Sequence, residues 1–579
     1  MRSSAAAEHN RAPTLTFGKA SHPGHGHANQ DAVAAGWNAA GDVLAAALAD
    51  GIASSEVSGE AASAAVDGFV VDYHCAPAAW SAEVAGRHVL TALNAGLHAR
   101  TLDSRYRQDM NRGYVCACSA LVAAGSDANL FQVGDTQIFR RRGGALEACM
   151  PTHRVAGDDA THLARALGAG AELEVDHRRI RLQAGDVLLL ASDGAHEAWH
   201  EAEVIAALDA HGDDAQNAAE AIVAAARARD DRDDASVIVI CVQGVTGPAP
   251  TERVGPDTPA RIPEPLAPRS DFEGLSIVRE LSVSARSRVY LAHPRGAPDA
   301  LCVVKTPGPD VAADKAALER FLLEAWVGGR IDNPHVLKAW PVQASSDAVY
   351  GVFEYINGQG LDRWHADHPR AELAAVRDIV SQVGRGLLAF HRRHMLHQDL
   401  RPANVLLDAT GTARIIDFGA VRIHGVGAAW PAGGVPGTEQ FAAPEYFSGE
   451  AASPAADQYS LAALTYFLLT GDLPYGPNVS RATTRAAQSR LRYRPVTERR
   501  PDVPRWVDAV IRCGVHVDPA RRYADVACFI DALTHAPFER DTRDFVPWAE
   551  RDPVRLWQTV SAVLALGVVA LGLYIGLTR

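Results

Sequence analysis

The chain is poor in cysteine, with eight in 579 residues, and no apolar leader precedes Asn29. Scattered thiols without an export signal point to a reducing interior in which they stay free. Cys116 and Cys118, one residue apart on an expected strand, read as small buried side chains rather than as a redox or metal pair. Positive charge is also short: 56 Lys and Arg face 69 Asp and Glu, a net charge of -13, and there is no basic tail. That excludes a broad nucleic-acid surface, which needs clustered cations against the phosphate backbone.

What is present is enough apolar material, 47% of residues, for more than one core, and the length calls for at least two domains. Prolines crowd residues 244–270, which read as an extended linker because proline fixes φ and removes a backbone donor. A polar stretch, 536–555, leads to LWQTVSAVLALGVVALGLYIGLT, Leu556 to Thr578, which carries no charge and matches the length of a membrane-crossing helix. Arg551 and Arg555 before it and only Arg579 after it predict a single-pass tail anchor in the inner, cytoplasmic membrane with the preceding domains in the cytoplasm. Only Gly572 and Gly576 within it are spaced four apart, a weak signal for helix pairing that leaves the oligomeric state open. The expected domains are 1–243 and 271–535.

In the first domain, buried strands repeatedly deliver an aspartate at their ends. Asp31 closes HANQD, Asp50 and Gly51 follow VLAAALA, Asp135 follows FQVG, Asp193 and Gly194 follow VLLLAS, and Asp233 and Asp234 precede ASVIVICV. One such Asp is a turn residue; several in one domain point to a shared hard-cation site suited to Mg²⁺ or Mn²⁺. Two such ions can lower the pKa of a bridging water and aim it at phosphorus. The motifs NQD, DG, VGDTQ, ARALG, SDG and DDAS, in this order across about Leu15 to Val242, resemble the type 2C metal-dependent protein phosphatases. The resemblance implies a β-sandwich flanked by helices. It implies a binuclear site of Asp50, Asp193 and Asp233, with Gly51 ligating through its carbonyl, and Asp31 either touching an ion or standing behind the ligands. It gives Asp135 a weaker third ion. Spacing leaves Asp233 and Asp234 both open, with the family pattern favouring Asp233. Where the family commonly has a phosphate-gripping Arg, this chain has Gly26, within HPGHGH. His22, His25 and His27 there could supply a phosphate contact or a general acid, or form only a solvated loop.

The second domain lacks glycine where a phosphate loop needs it. In LSVSARSRVYLA, Leu281 to Ala292, Ser282, Ser284 and Ser287, followed by Val289, stand at the glycine-loop spacing. Serine still offers backbone N–H groups to phosphate but loses close approach and flexibility. CVVK ends a strand at Lys305, and Glu324 lies in the amphipathic ALERFLLEAWVGGRI, a pairing that clamps the α- and β-phosphates of ATP. HQDLRPANVLL contributes Asp399, Arg401 and Asn404, and IIDFGA contributes Asp417. Asp399 takes or orients the hydroxyl proton, and Asn404 and Asp417 hold one or two Mg²⁺. With AAPEY, DQYSLAALTYFLLTGDLPY and the Asp518, Pro519, Arg522 set, residues of about Phe272 to Thr534 resemble a eukaryotic-type Ser/Thr protein kinase, which implies a bilobal fold and protein Ser/Thr substrates. Arg401 replaces the usual Lys and keeps its charge. Gln398 replaces the Arg that in the family binds an activation-loop phosphate, and between Asp417 and Glu445 the only hydroxyl side chain is Thr438. Receiver and donor of that switch are absent together, so a kinase independent of loop phosphorylation is expected. The whole reads as an α+β two-domain chain with a C-terminal transmembrane helix. It is either a bifunctional kinase and phosphatase acting on proteins and on itself, or a phosphatase governed by an ATP-binding pseudokinase.

Overall fold

The computed structural model describes residues 14–156, 161–163, 165–245, 261–342, 348–426 and 437–535, together with Trp557, Gln558 and Ser561. The first half opens with β1 (Thr14–His22), β2 (Ala32–Trp37) and β3 (Val43–Gly51), crosses helices α1 (Ser58–His74) and α2 (Ala82–Leu102), and returns as β4 (Cys116–Ala124), β5 (Asp127–Val133), β6 (Gln137–Arg142) and β7 (Ala145–Ala148). A hairpin of β8 (Arg154–Ala156) and β9 (Thr161–Leu163) precedes β10 (Asp176–Arg181) and β11 (Val187–Ala191). Helices α3 (Asp193–His196), α4 (Glu201–His211) and α5 (Ala215–Arg229) then lead to β12 (Ala235–Gly244). The strands form two antiparallel sheets, ordered β1-β12-β11-β6-β7 and β10-β5-β4-β3-β2.

Side-chain alternation explains why both sheets are covered on both faces. Leu188 and Leu190 of β11, with Ile238 and Ile240 of β12, enter the core between the sheets, where they meet Leu44, Leu48, Leu121 and Leu130. The alternate residues Leu189, Val237 and Val239 pack outward on Ala218, Ile222 and Val223 of α5. On β3 the outward residues are Ala45, Ala47 and Ala49, all fully buried. Their small size lets α1, itself lined by Ala61, Ala62 and Ala65, lie close against the strand.

In the second half, β13 (Asp271–Phe272), β14 (Leu275–Val283), β15 (Ser287–Pro294), β16 (Cys302–Pro307), β17 (Ala339–Trp340) and β18 (Gly351–Glu354) form a sheet ordered β13-β14-β15-β16-β18-β17. Two helices, α6 (Pro309–Ala312) and α7 (Lys315–Arg330), follow β16; the Asp314 side chain caps α7 by accepting from Ala316 N. A helical lobe follows, built around Leu373–His391 and the almost wholly buried Pro454–Thr470. Residues 1–530 make one compact unit and Asp531–Arg579 another. Among the described residues no helix is long and apolar enough to cross a membrane. The run from Leu556 to Thr578 lies outside them apart from Trp557, Gln558 and Ser561, as do Thr246, Thr251 and Thr258 of the linker.

Candidate active sites

Strand register gathers the aspartates. Asp31 enters β2, Asp50 and Gly51 close β3, Asp193 leaves β11 and Asp233 approaches β12; Ala32 lies opposite Ala49, and Ala191 opposite Val237. All therefore emerge at one end of the sandwich. A cleft of about 1300 Å³ opens there, lined by Asp50, Gly51, Asp135, Asp193, Gly194 and Asp233, with His27 and Arg232 on its rim. Glycine is obligatory at two of these positions. A Cβ on Gly51 would come within 2.8 Å of the Gln30 carbonyl oxygen, and one on Gly194 within 2.3 Å of that of Asp234.

The carboxylates disturb one another. Burial pushes the Asp50 carboxyl well above its ordinary range, and the charges of Asp31, Asp193 and Asp135 push it further. Asp31 is pushed up to about 8 by burial, with Asp234 and Asp193 adding to the shift. Neither of its buried oxygens has a well-formed hydrogen-bond partner, and the Ser192 and Ser236 hydroxyls temper the rise without cancelling it. Asp233 is raised by burial and then by Asp193. A set of hard oxygen donors whose carboxylates repel one another, with the two Asp31 oxygens lacking a partner, fits Mg²⁺ or Mn²⁺. Among the described residues no three acidic, His or Cys side chains close around a point by themselves, so an ion here would keep water ligands, as Mg²⁺ commonly does.

Asp233 and Asp234 separate by geometry. The Asp234 carboxylate accepts from Gly24 N at 2.7 Å and Gln30 N at 2.6 Å, anchoring the chain on either side of His25 and His27, whereas Asp233 faces the cleft. Of the three histidines, His27 reaches the cleft, its Nε2 lying 3.1 Å from the Arg232 carbonyl. That hydrogen bond is the main reason its pKa lies above the ordinary value. His25 is tied through its backbone, N to Asp231 O at 2.6 Å, and His22 ends β1. Arg232 on the rim, paired with Asp230, was not singled out in the sequence; its signal was a lone cation in the acidic run DDRDD.

In the second half, Val289 on β15 stands opposite Lys305 on β16. The Lys305 ammonium donates to both Glu324 oxygens at 2.7 Å and lies 3.7 Å from Asp417. Burial opposes the Lys305 charge, but Glu324 and Asp417 outweigh it and raise its pKa; in return Lys305 holds Asp417 below its ordinary value. Asp399 accepts from Thr438 N at 2.7 Å and Asn404 Nδ2 at 3.0 Å, and Arg401 donates to the Thr438 hydroxyl. Gln398 and Asp417 hold left-handed backbones, φ 65 and 67, a strained state that surrounding bonds must maintain. Asp457 supplies them at Gln398, accepting from His397 N, Gln398 N and His391 Nε2 at 2.8 to 2.9 Å. Its motif was legible in the sequence and its role was not.

A cavity of about 440 Å³ is lined by Ser284, Ser287, Lys305, Glu324, Asp399 and Asp417. Ser282 is exposed on β14 opposite Val289, and Asn404 is buried behind Asp399. The serine loop corrects one expectation. The amides of Ser284 and Ser287, expected to be offered to phosphate, instead donate to the Ser287 carbonyl at 2.9 Å and the Ser284 hydroxyl at 3.0 Å, and the Arg286 amide joins the same hydroxyl at 3.2 Å. Arg286, the cation between Ser284 and Ser287, also lines this cavity and went unremarked in the sequence.

The chain holds two clefts, one lined by aspartates and one by a Lys–Glu pair with two aspartates. Comparison with known families agrees: residues 283–538 match the Protein kinase domain and residues 19–226 match Protein phosphatase 2C. The chain therefore joins a protein phosphatase 2C domain to a protein kinase domain. Over 235 residues it is 29% identical to serine/threonine-protein kinase PknA of Mycobacterium tuberculosis, covering 40% of this chain and 54% of that protein. Over 232 residues it is 31% identical to drp72 of Corynebacterium efficiens, also described as a serine/threonine-protein kinase, covering 38% and 43%. The chain thus spans about half the length of these relatives. Among solved structures, PppA, a regulatory component of T6SS in Pseudomonas aeruginosa, aligns at 22% identity and TM-score 0.34, covering 40% of this chain and 98% of that one. A bacterial serine phosphatase aligns at 16% identity and TM-score 0.36, with the same coverage.

Proposed function

We propose that the chain is a bifunctional enzyme that phosphorylates protein Ser and Thr with ATP and hydrolyses phosphoserine and phosphothreonine. The observation that carries this reading is the assembled Lys305–Glu324 pair beside Asp417, in a chain whose other domain gathers aspartates round one cleft. In the kinase cleft Lys305 grips the ATP phosphates, Asp399 receives the proton of the attacking hydroxyl, and Arg401 offsets charge on the phosphoryl group. Asn404 and Asp417 would hold Mg²⁺ there. In the phosphatase cleft Asp50, Asp193, Asp233 and the Gly51 carbonyl would hold two Mg²⁺ or Mn²⁺, Asp31 would support them and Asp135 would hold a third. Bound there, the ions would supply a water acidic enough to attack phosphorus. His27, kept protonated to higher pH than a free imidazole, is the candidate contact for the phosphate that an arginine grips elsewhere in the family, a role that its position on the cleft rim supports.

Transfer of labelled γ-phosphate to a basic protein and to the chain itself, in an Asp50→Asn, Asp193→Asn form, tests the kinase half. Label that disappears in Lys305→Met and Asp399→Asn supports it. ATP binding without transfer would instead favour a nucleotide-sensing domain governing a phosphatase, a reading that the self-satisfied serine loop favours. The uncharged run Leu556 to Thr578 supports tethering to the inner membrane with both domains in the cytoplasm. Thr246, Thr251, Thr258 and Ser270 are candidate substrates on the chain itself, reached at high effective concentration.

A further inference from the structure

Helix α7 has two loaded faces. One presents Glu324 to Lys305. The other carries Trp326 and Arg330, spaced four apart and so stacked on one side of the helix, and this side packs on the phosphatase domain. Arg330 meets the Asp72 carboxylate at 2.6 Å, both side chains at most 4% exposed. Trp326, fully buried, donates its indole N–H to the Asp72 carbonyl at 2.9 Å, and its ring stands edge-on to Trp80 at 5.3 Å. The Arg330 guanidinium lies over the Trp326 ring. Gly329 brings the α7 backbone so close that a Cβ there would sit 3.1 Å from Cys75 Cβ.

The same surface reaches two further elements of the kinase cleft. The second Asp72 oxygen accepts from Arg393 at 3.1 Å, and a Cβ on Gly96 of α2 would lie 3.2 Å from His394; both kinase residues belong to the turn entering the catalytic loop. Thr91 of α2 stands where a Cβ on Gly425 would come within 2.8 Å, in the segment between Asp417 and Glu445. The helix, the catalytic loop and the activation segment are the parts that must be placed together for phosphoryl transfer. Here one surface, the C-terminal end of α1 with the facing side of α2, touches all three.

We propose that the phosphatase domain is the built-in positioning partner of the kinase domain: Asp72 and Trp80 hold α7 so that Glu324 stays paired with Lys305, in place of control by activation-loop phosphorylation. Asp72 and Trp80 touch neither nucleotide nor substrate and act through Trp326 and Arg330. The inference rests on the reading of the second domain as a nucleotide-binding kinase fold. It accounts for a chain with Gln398 before its catalytic aspartate and Thr438 as the one hydroxyl residue between Asp417 and Glu445.

The test uses the full-length chain with Asp72→Ala, Asp72→Glu and Trp80→Ala. Three readouts are compared: affinity for a fluorescent ATP analogue with Mg²⁺, ADP production with its KM for ATP, and Mn²⁺-dependent hydrolysis of p-nitrophenyl phosphate. The last reports that the phosphatase domain is folded. Asp72→Ala and Trp80→Ala are expected to weaken nucleotide binding at least fivefold and to raise the KM for ATP in step. Hydrolysis should stay within twofold of wild type, and Asp72→Glu should recover most of the loss. A partly unfolded preparation would lower kcat at unchanged KM and would lower hydrolysis too. If wild type binds the analogue but makes no ADP, the kinase reading fails, and the positioning role is decided on affinity alone. Wild-type affinity in both Asp72→Ala and Trp80→Ala overturns the proposal.

Discussion

At the scale of single residues, the serine loop is the sharpest departure from an ordinary phosphate cradle. Because the Ser284 hydroxyl takes the amides of Arg286 and Ser287, binding phosphate there requires those bonds to break first. Ser284→Gly removes the competitor, and with each recovered hydrogen bond worth about 1 kcal/mol net, the KM for ATP in an ADP-production assay should fall by about fivefold if one amide turns to phosphate and about thirtyfold if both do, with kcat little changed. An unchanged KM would mean that the amides play no part in holding nucleotide. A second residue-scale expectation concerns Asp31, whose carboxyl rises from an ordinary 3.8 to about 8 through burial and then its acidic neighbours. The folded chain then keeps a proton that the unfolded chain releases, so the stabilisation is full below about pH 4 and is lost as pH rises towards 8. Each pH unit in that window is worth up to about 1.4 kcal/mol, roughly 3–6 °C in Tm for a domain of this size. Thermal melts in chelator should show this fall, and Mn²⁺ should abolish it by taking the place of the proton; a flat profile in chelator would contradict the enclosed carboxylate. The strand-end aspartates were legible in the sequence because each follows an apolar run. Which of Asp233 and Asp234 faces the cleft was not, because the answer lies in two amides, Gly24 and Gln30, more than two hundred residues away.

At the scale of elements, composition encodes spacing as well as burial. VLAAALA reads in the sequence as an apolar strand; the structure adds that its leucines face the opposing sheet while Ala45, Ala47 and Ala49 lie under α1. Ala47→Leu forces extra volume between strand and helix, and overpacking of this kind costs about 1–3 kcal/mol. Since α1 begins beside Gly51, where a Cβ would lie 2.8 Å from Ser58, and carries Asp72 in its last turn, the same change should reduce p-nitrophenyl phosphate hydrolysis and nucleotide affinity together. Loss of hydrolysis alone would show that α1 does not link the two clefts. The kinase elements were equally legible as motifs, but the contact that positions α7 was not. Trp326 and Asp72 are 254 residues apart, and nothing in ALERFLLEAWVGGRI marks Trp326 and Arg330 as anything other than residues of an amphipathic helix.

At the scale of the whole chain, docking makes the stability of one domain depend on the other. Mn²⁺ bound only to the folded phosphatase domain would stabilise it by about 2.7 kcal/mol at a hundredfold excess over Kd. The kinase domain receives part of that gain only through the interface, because α7 can keep Asp72, Trp80 and Cys75 as neighbours only while α1 and α2 are folded. In a denaturant series followed by hydrogen exchange, peptides from α7 and from helix Leu373–His391 should therefore unfold at higher denaturant when Mn²⁺ is added, along with peptides from β3 and β11. In Asp72→Ala the phosphatase peptides should still shift and the kinase peptides should not, since removing one partner from a buried ion pair costs about 3–5 kcal/mol, enough to undock domains held by this contact. Kinase peptides indifferent to Mn²⁺ in the wild-type chain would show that the two domains are neighbours without thermodynamic coupling, whatever their activities.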